Sequence, residues 1–159
     1  MLFYTISILV AILLVGVDQI IKMWATAQLA PVGSMPLIPG IIELRFSLNK
    51  GAAFSILQGQ QAFLILFTTI AMVAIAVYLI WKRPDSKLEF IAWLLVLSGG
   101  VGNLIDRVMN QQVVDYLNFL FMRFAIFNFA DILVCTGIGL LLISLLLEEF
   151  RANKTIGKE

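Results

Sequence analysis

Four aspartates and two asparagines carry most of the chemical reach of this sequence: Asp18, Asp106, Asp115 and Asp131, with Asn103 and Asn128 each three residues before an acid. In a helix that i, i+3 spacing puts an amide beside a carboxylate on one face, where it can orient the acid or donate to a carbonyl. Asp18 and Lys22 share a helix face at i, i+4, and Asp106 is followed by Arg107. Asp115 and Asp131 have no cation within seven residues. Two carboxylates without a local cation can share a proton, because like charges a few ångströms apart do not both ionise easily. One acid then acts as base on a water while the other donates to a scissile carbonyl, which is aspartic-protease chemistry. Asp18 and Asp106 are the alternative pair.

Composition removes most rivals. The chain has no histidine, which excludes histidine triads, histidine proton shuttles and histidine-ligated zinc or haem. One cysteine, Cys135, excludes an intrachain disulfide and cysteine-ligated clusters. Cys135 has no evident neighbouring cation or base and reads as a small packing residue. Eleven Lys and Arg against ten Asp and Glu give a net charge of +1, so nothing here forms a basic field for nucleic acid. No metal and no cofactor is expected.

The elements that must position these acids are membrane spans. The chain has 159 residues, 61% of them hydrophobic and 13% charged, with mean hydropathy +1.00; soluble domains are about 45–50% apolar and about 25% charged. About 20 helical residues cross a ~30 Å hydrocarbon core, and four apolar stretches predict spans at about 4–27, 61–81, 89–108 and 129–148 in a single domain covering 1–159. The first stretch is expected to be a span and not a cleavable signal peptide, because no basic residue precedes it and it is longer than such a peptide's apolar region. The last two apolar runs, Phe90–Ile105 and Ile132–Leu147, are 16 residues each and must recruit Asp106 and Asp131 into the span. The expected fold class is therefore an all-α membrane protein of four transmembrane helices, with a small β-sheet or strand region and an aromatic loop on the outer face.

Four spans put both termini on one side. Lys82, Arg83, Lys87, Arg151, Lys154 and Lys158 fall there, and the excess of positive charge makes that side cytoplasmic. Opposite lie two connections. In the first, about Ala30–Gln60, Ile42, Leu44, Phe46 and Leu48 alternate with Glu43, Arg45, Ser47 and Asn49, which predicts a half-buried strand with Phe54–Leu57 pairing back onto it. The second, about Met109–Phe127, carries Tyr116, Phe119, Phe121, Phe124 and Phe127 as an interfacial aromatic cluster, either a headgroup anchor or a wall for a lipid-bearing substrate. All four aspartates then gather at one depth near the outer surface, where ionisable groups are costly and mark function by default. Gly99, Gly100 and Gly102 clear one stretch of the third helix for close packing.

At this point the residues resemble a known family, bacterial lipoprotein signal peptidase (signal peptidase II). Asp18-Gln19-Ile20-Ile21-Lys22 is similar to its first motif and Asn49-Lys50-Gly51-Ala52-Ala53-Phe54 to its second. Gly99 through Arg107 resembles the third, Val113-Val114-Asp115-Tyr116 the fourth and Phe127-Asn128-Phe129-Ala130-Asp131 the fifth. Tyr116, where Phe is common, and Phe129, where smaller or β-branched residues are frequent, depart from the pattern without touching the acids. The resemblance implies an intramembrane aspartyl endopeptidase that removes a prolipoprotein signal peptide before a diacylglyceryl-modified cysteine. It implies a catalytic dyad at Asp115 and Asp131. Asp18, Lys22, Asn49, Gly51, Asn103, Asp106, Arg107 and Asn128 fall at supporting or substrate-binding positions. It further implies a monomer in the bacterial cell membrane, surrounded by lipid, inhibited by globomycin-type cyclic peptides and insensitive to chelators.

Two rivals make different demands. An ion or proton transporter would use the aspartates as a coupling site but needs a polar route through the membrane. Ile6–Val17 offers only Ser7 and Gly16, and Ile138–Leu147 only Gly139 and Ser144. A purely structural membrane protein would not need an asparagine beside each of two aspartates.

Overall fold

The computed structural model describes residues 2–51, 56–82, 84 and 86–156, with the backbone alone for 151–156. Seven elements follow in order: α1 (Leu2–Leu29), β1 (Ser34–Ile38), β2 (Ile42–Asn49), α2 (Gln61–Trp81), α3 (Lys87–Asn110), β3 (Val113–Phe119) and α4 (Phe129–Ile156). All four helices are long and apolar enough to cross a membrane. Against the expected stretches, α1 and α3 run two residues further at each end, α2 has the same bounds, and α4 runs eight residues past 148, helix propensity continuing beyond the apolar run until a stop signal arrives. For α1 that stop is Gly33, at φ +79°, whose N–H bonds the Leu29 carbonyl at 2.7 Å. Ser86 opens α3 by accepting the Glu89 N–H.

Helix α3 is central and packs against α1, α2 and α4. Half of its apolar stretch is buried, against 6% for that of α1, which leaves most of α1 exposed. Close approach depends on glycine. A Cβ at Gly99 would collide with the Ala130 carbonyl oxygen, and one at Gly137 would lie 2.6 Å from the Ala92 carbonyl oxygen. A Cβ at Gly102 would lie 2.6 Å from Asp18 Oδ2. Small residues thus let α3 and α4 meet backbone to backbone, and let an α1 carboxylate lie against α3.

The small sheet expected in this region forms. Three antiparallel strands pair in the order β1-β2-β3. The predicted strand at Ile42–Asn49 forms, but its partners are β1 and β3. Phe54 and Ser55 lie outside the described residues, and Ile56 and Leu57 form a turn, so the pairing-back strand is corrected at those two positions. Segment 113–119, read as part of an aromatic connection, is strand β3 up to Phe119, which also bridges to Phe127 through Leu117. The aromatic cluster forms at its end: Phe119 meets Phe121, Phe124 and Phe127 at centroid distances of 5.1–5.9 Å.

The predicted two-residue alternation along β2 breaks once. Leu44 pairs with Leu117, but Ser47 pairs with Asp115, so β2 has one more residue than β3 between these pairs. That bulge reverses which residues face inward. Leu48 becomes exposed, and Asn49 turns toward the buried side, where it reaches an acid.

Candidate active site

The helix ends and β3 bring all four aspartates into one connected network. At its α1 side Lys22 is buried between two acids, 2.9 Å from Asp18 Oδ2 and 2.9 Å from Asp106 Oδ2. Asp18 is fully buried and also accepts the Ala130 N–H at 3.0 Å. Asp106 accepts the Val114 N–H at 3.3 Å, which ties the start of β3 to α3. These contacts keep charge buried at low cost only because each carboxylate has both an ion pair and a backbone donor.

Asp115 and Asp131 form the second half. Among the described residues, neither makes a salt bridge. Asp115 Oδ1 accepts Asn128 Nδ2 at 2.6 Å, and Oδ2 accepts Asn49 Nδ2 at 3.1 Å. Asp131 Oδ1 accepts Asn103 Nδ2 at 2.8 Å, and Oδ2 accepts the Asn128 N–H at 3.1 Å. Asn128 Nδ2 also lies 3.1 Å from Asn103 Oδ1, so the amides that hold the two acids are joined. Asp115 is buried on β3, whereas Asp131 is half-buried in the first turn of α4. Burial, and then the neighbouring Asp131 charge, pushes the Asp115 carboxyl up to about 7, against the smaller opposing effects of Asn49, Asn128 and Lys22.

Asn103 and Asp106 share a helix face as expected, since both contact the Lys22 ammonium, but they do not bond each other. Asn103 does not serve Asp106, its i+3 neighbour; it accepts from Lys22 and donates to Asp131 across the α3–α4 interface. Packing against α4 supplied a partner that spacing along α3 could not reveal. Asn128 does pair with Asp131, but through backbone groups: Asn128 Oδ1 accepts the Asp131 N–H at 3.0 Å while Asp131 accepts the Asn128 N–H. This is a reciprocal cap, and it leaves the Asn128 amide free to reach Asp115.

Every orphan N–H at the start of α4 has an acceptor from a different source. Phe129 N–H bonds the Tyr116 hydroxyl oxygen at 3.1 Å, Ala130 N–H bonds Asp18, Asp131 N–H bonds Asn128 Oδ1, and Ile132 N–H bonds the Asn128 carbonyl at 3.3 Å. Burial holds the Tyr116 phenol above its ordinary range, so it stays a neutral hydroxyl. Tyr116→Phe removes that acceptor alone, and thermal unfolding in detergent is expected to show a loss of about 1 kcal/mol.

Arg107 is buried, donates through Nη2 to the Gly51 carbonyl at 3.1 Å, and keeps its Nε without a partner among the described residues. It makes no salt bridge to the adjacent Asp106, whose ion partner is Lys22. Gly51 N–H in turn bonds Asn49 Oδ1 at 2.8 Å, which fixes the amide end that faces Asp115. Ala52, Ala53 and Phe54 of the same motif lie outside the described residues. Two contributors escaped the sequence reading. Gln19 lies 3.2 Å from Asp18 Oδ2, 3.1 Å from the Gly102 carbonyl and 3.4 Å from Asp106 Oδ1; an amide inside an apolar span was its visible signal. The signal for the Tyr116 hydroxyl was its departure from a position where Phe is common, although the residue otherwise looked like one more interfacial aromatic.

Cys135 is exposed on α4 and has no part in the network. Among the described residues, no group of three or more His, Cys, Asp or Glu is arranged to hold a metal. An apolar groove of about 560 Å³ between α1, α2 and α3 is lined by none of the acids or amides of the network.

The comparisons with known proteins agree with this architecture. The sequence profile of Signal peptidase (SPase) II matches residues 10–147. A lipoprotein signal peptidase of Streptococcus pyogenes serotype M2 (strain MGAS10270) is 42% identical over 147 residues, covering 92% of this chain and 96% of the relative. A lipoprotein signal peptidase of serotype M1 of the same species matches with the same identity and coverage. Two bacterial membrane enzyme structures solved by the in meso method superpose well. One has TM-score 0.84 at 33% identity, covering 91% of this chain and 90% of the other; the second has TM-score 0.79 at 34% identity, covering 89% and 93%. With four apolar helices, a three-stranded sheet and a profile match across most of its length, this chain belongs to the signal peptidase II family of membrane proteases.

Proposed function

We propose that this chain hydrolyses the peptide bond before a diacylglyceryl-modified cysteine in prolipoproteins, with Asp115 and Asp131 as the catalytic dyad. The observation that carries the reading is the pair itself: two carboxylates from different elements, without a cation partner among the described residues, both held by Asn128, Asp115 through its side-chain Nδ2 and Asp131 through its backbone N–H. Asp115, buried and pushed up to about 7, holds the shared proton. Asp131, at the positive end of α4 with a backbone N–H on one oxygen, is the anion. Asp131 takes a proton from a water whose oxygen bonds the scissile carbonyl carbon, and Asp115 protonates the carbonyl oxygen. Collapse of the tetrahedral species breaks the C–N bond as Asp131 passes its proton to the leaving amine and Asp115 recovers its own.

The remaining parts fit one bilayer-embedded domain spanning 1–159. Lys82, Lys87 and the basic tail mark the cytoplasmic side, so the dyad end faces outward in the bacterial cell membrane. There a lipidated cysteine at the top of a signal helix reaches the acids without leaving the membrane. The sheet and the Phe119–Phe127 aromatics would flank the lipid-bearing substrate. Arg107 Nε, without a partner among the described residues, suits a substrate carbonyl oxygen. Inhibition by globomycin-type peptides and a monomeric enzyme complete the reading. The transporter alternative gains no support from the family match.

Two measurements test it. The purified protein is given a prolipoprotein with and without the diacylglyceryl group. Cleavage confined to the lipidated form, with the new N-terminus at the modified cysteine by mass, supports the reading; equal cleavage of both forms overturns the substrate assignment. The pH profile is the second. Activity is expected to fall as pH rises past about 7, where Asp115 loses its proton. Stability follows the same sign: the folded-state value lies above the ordinary 3.8, so the contribution of neutral Asp115 is complete below about 4 and is lost as pH rises through about 7. Melting temperature against pH should show this fall in the parent and lack it in Asp115→Asn.

A further inference from the structure

We propose that Lys22 is a positioning residue for the dyad, acting through the Asn103 amide; the proposal rests on Asp115 and Asp131 being the hydrolytic pair. The Lys22 ammonium has three N–H donors and no acceptor. All three are committed, to Asp18 Oδ2, Asp106 Oδ2 and Asn103 Oδ1, each at 2.9 Å. Only the carbonyl end of Asn103 can therefore face α1. The amide nitrogen must point the other way, and it meets Asp131 Oδ1 at 2.8 Å. The same carbonyl end accepts Asn128 Nδ2, the atom that also holds Asp115.

The two ends of an amide are nearly equal in size, so shape alone does not select between them. A reversed Asn103 would aim a carbonyl oxygen at the Asp131 carboxylate and an N–H₂ at Asn128 Nδ2, with repulsion at both contacts. The cation on α1 adds a third contact against that alternative, since a reversed Asn103 would also turn its N–H₂ on the ammonium. Lys22 touches neither dyad carboxylate, yet it reinforces the direction of the donor that holds one of them and of the acceptor that steadies the other. The charged groups around the dyad are Asp18 and Lys22 from α1, and Asp106 and Arg107 from α3; Lys22 alone among them donates to Asn103 Oδ1.

A double-mutant cycle on kcat tests this, with full-length protein in detergent and the folded fraction measured for each variant. Lys22→Met and Asn103→Ala are each expected to lower kcat by about 10- to 100-fold, with KM within about twofold, as expected for misplaced catalytic groups. The pair together should be no slower than the slower single, because both remove one device. Loss of the cation leaves two buried acids, so the cycle is repeated on an Asp106→Asn background, where Lys22→Met restores the triad charge to that of the parent. Multiplying effects, or a folded Lys22→Met enzyme with parental kcat, would overturn the proposal. If Asp115→Asn and Asp131→Asn both retain parental activity, the dyad reading has failed instead. A role confined to neutralising Asp18 and Asp106 would change the folded fraction but leave kcat per folded molecule unchanged.

Discussion

Asp115→Asn and Asp131→Asn are each expected to lower kcat by at least about 10³-fold while the protein stays folded. General acid–base catalysis contributes roughly 10²–10⁴-fold for each positioned group, and the two acids here act as one unit. Asparagine can neither take a proton from water nor donate one to a carbonyl at the required moment. The double substitution should therefore be no slower than the slower single. The fold should tolerate each change, since neither acid has a salt bridge to lose among the described residues. At position 115 the cost is one donor-to-donor clash, because Asn128 and Asn49 both aim N–H groups at the carboxylate. That is worth about 1 kcal/mol. Turnover by kinetics and folded fraction by thermal melt decide it. Parental turnover in both variants would move the chemistry elsewhere in the network, to Asp18 and Asp106 first.

Asp18→Ala should have the largest effect on stability. Asp18 is fully buried and serves three partners at once: Lys22 at 2.9 Å, the Ala130 N–H at 3.0 Å and Gln19 at 3.2 Å. Removing one member of a buried ionic group costs about 3–5 kcal/mol. Lys22 retains Asp106, which puts the expected loss near the lower end, about 3 kcal/mol. For a chain of this size that lowers the melting temperature by roughly 6–12 °C. Asp18→Asn should be milder, because its carbonyl can still accept the Ala130 N–H while only the ion pair is lost. The ordering parent, Asn, Ala in melting temperature is the expected result. An Ala variant as stable as the parent would mean that the α1 triad does not hold α4 in place.

The four helices and the clustering of the aspartates were legible because membrane burial leaves a coarse signal: long runs without charge, interrupted only where a charge has a use. Asp115 and Asp131 stood out for the same reason, as acids without a nearby cation in sequence. The sheet was legible only in part. β2 announced itself by alternation, but β1 contains Pro36 and is fully exposed, and β3 is buried on both faces through Tyr116 and so shows no alternation. The bulge in β2 was invisible because its cause is the register against a strand 66 residues away, as the Asn49–Asp115 contact shows. Partner choice inside the site was also hidden. Spacing along one helix pointed Asn103 at Asp106, whereas packing of α3 against α1 and α4 gave it Lys22 and Asp131.

The most direct test is a gel shift with purified protein alone. The parent, folded in detergent, is incubated with a diacylglyceryl-modified prolipoprotein in the presence of a chelator, and the products are weighed. Loss of a signal-peptide-sized fragment, leaving the lipidated cysteine at the new N-terminus, is the predicted result. An uncut substrate, with folded enzyme and a substrate that a known signal peptidase II does cleave, would contradict the proposed activity.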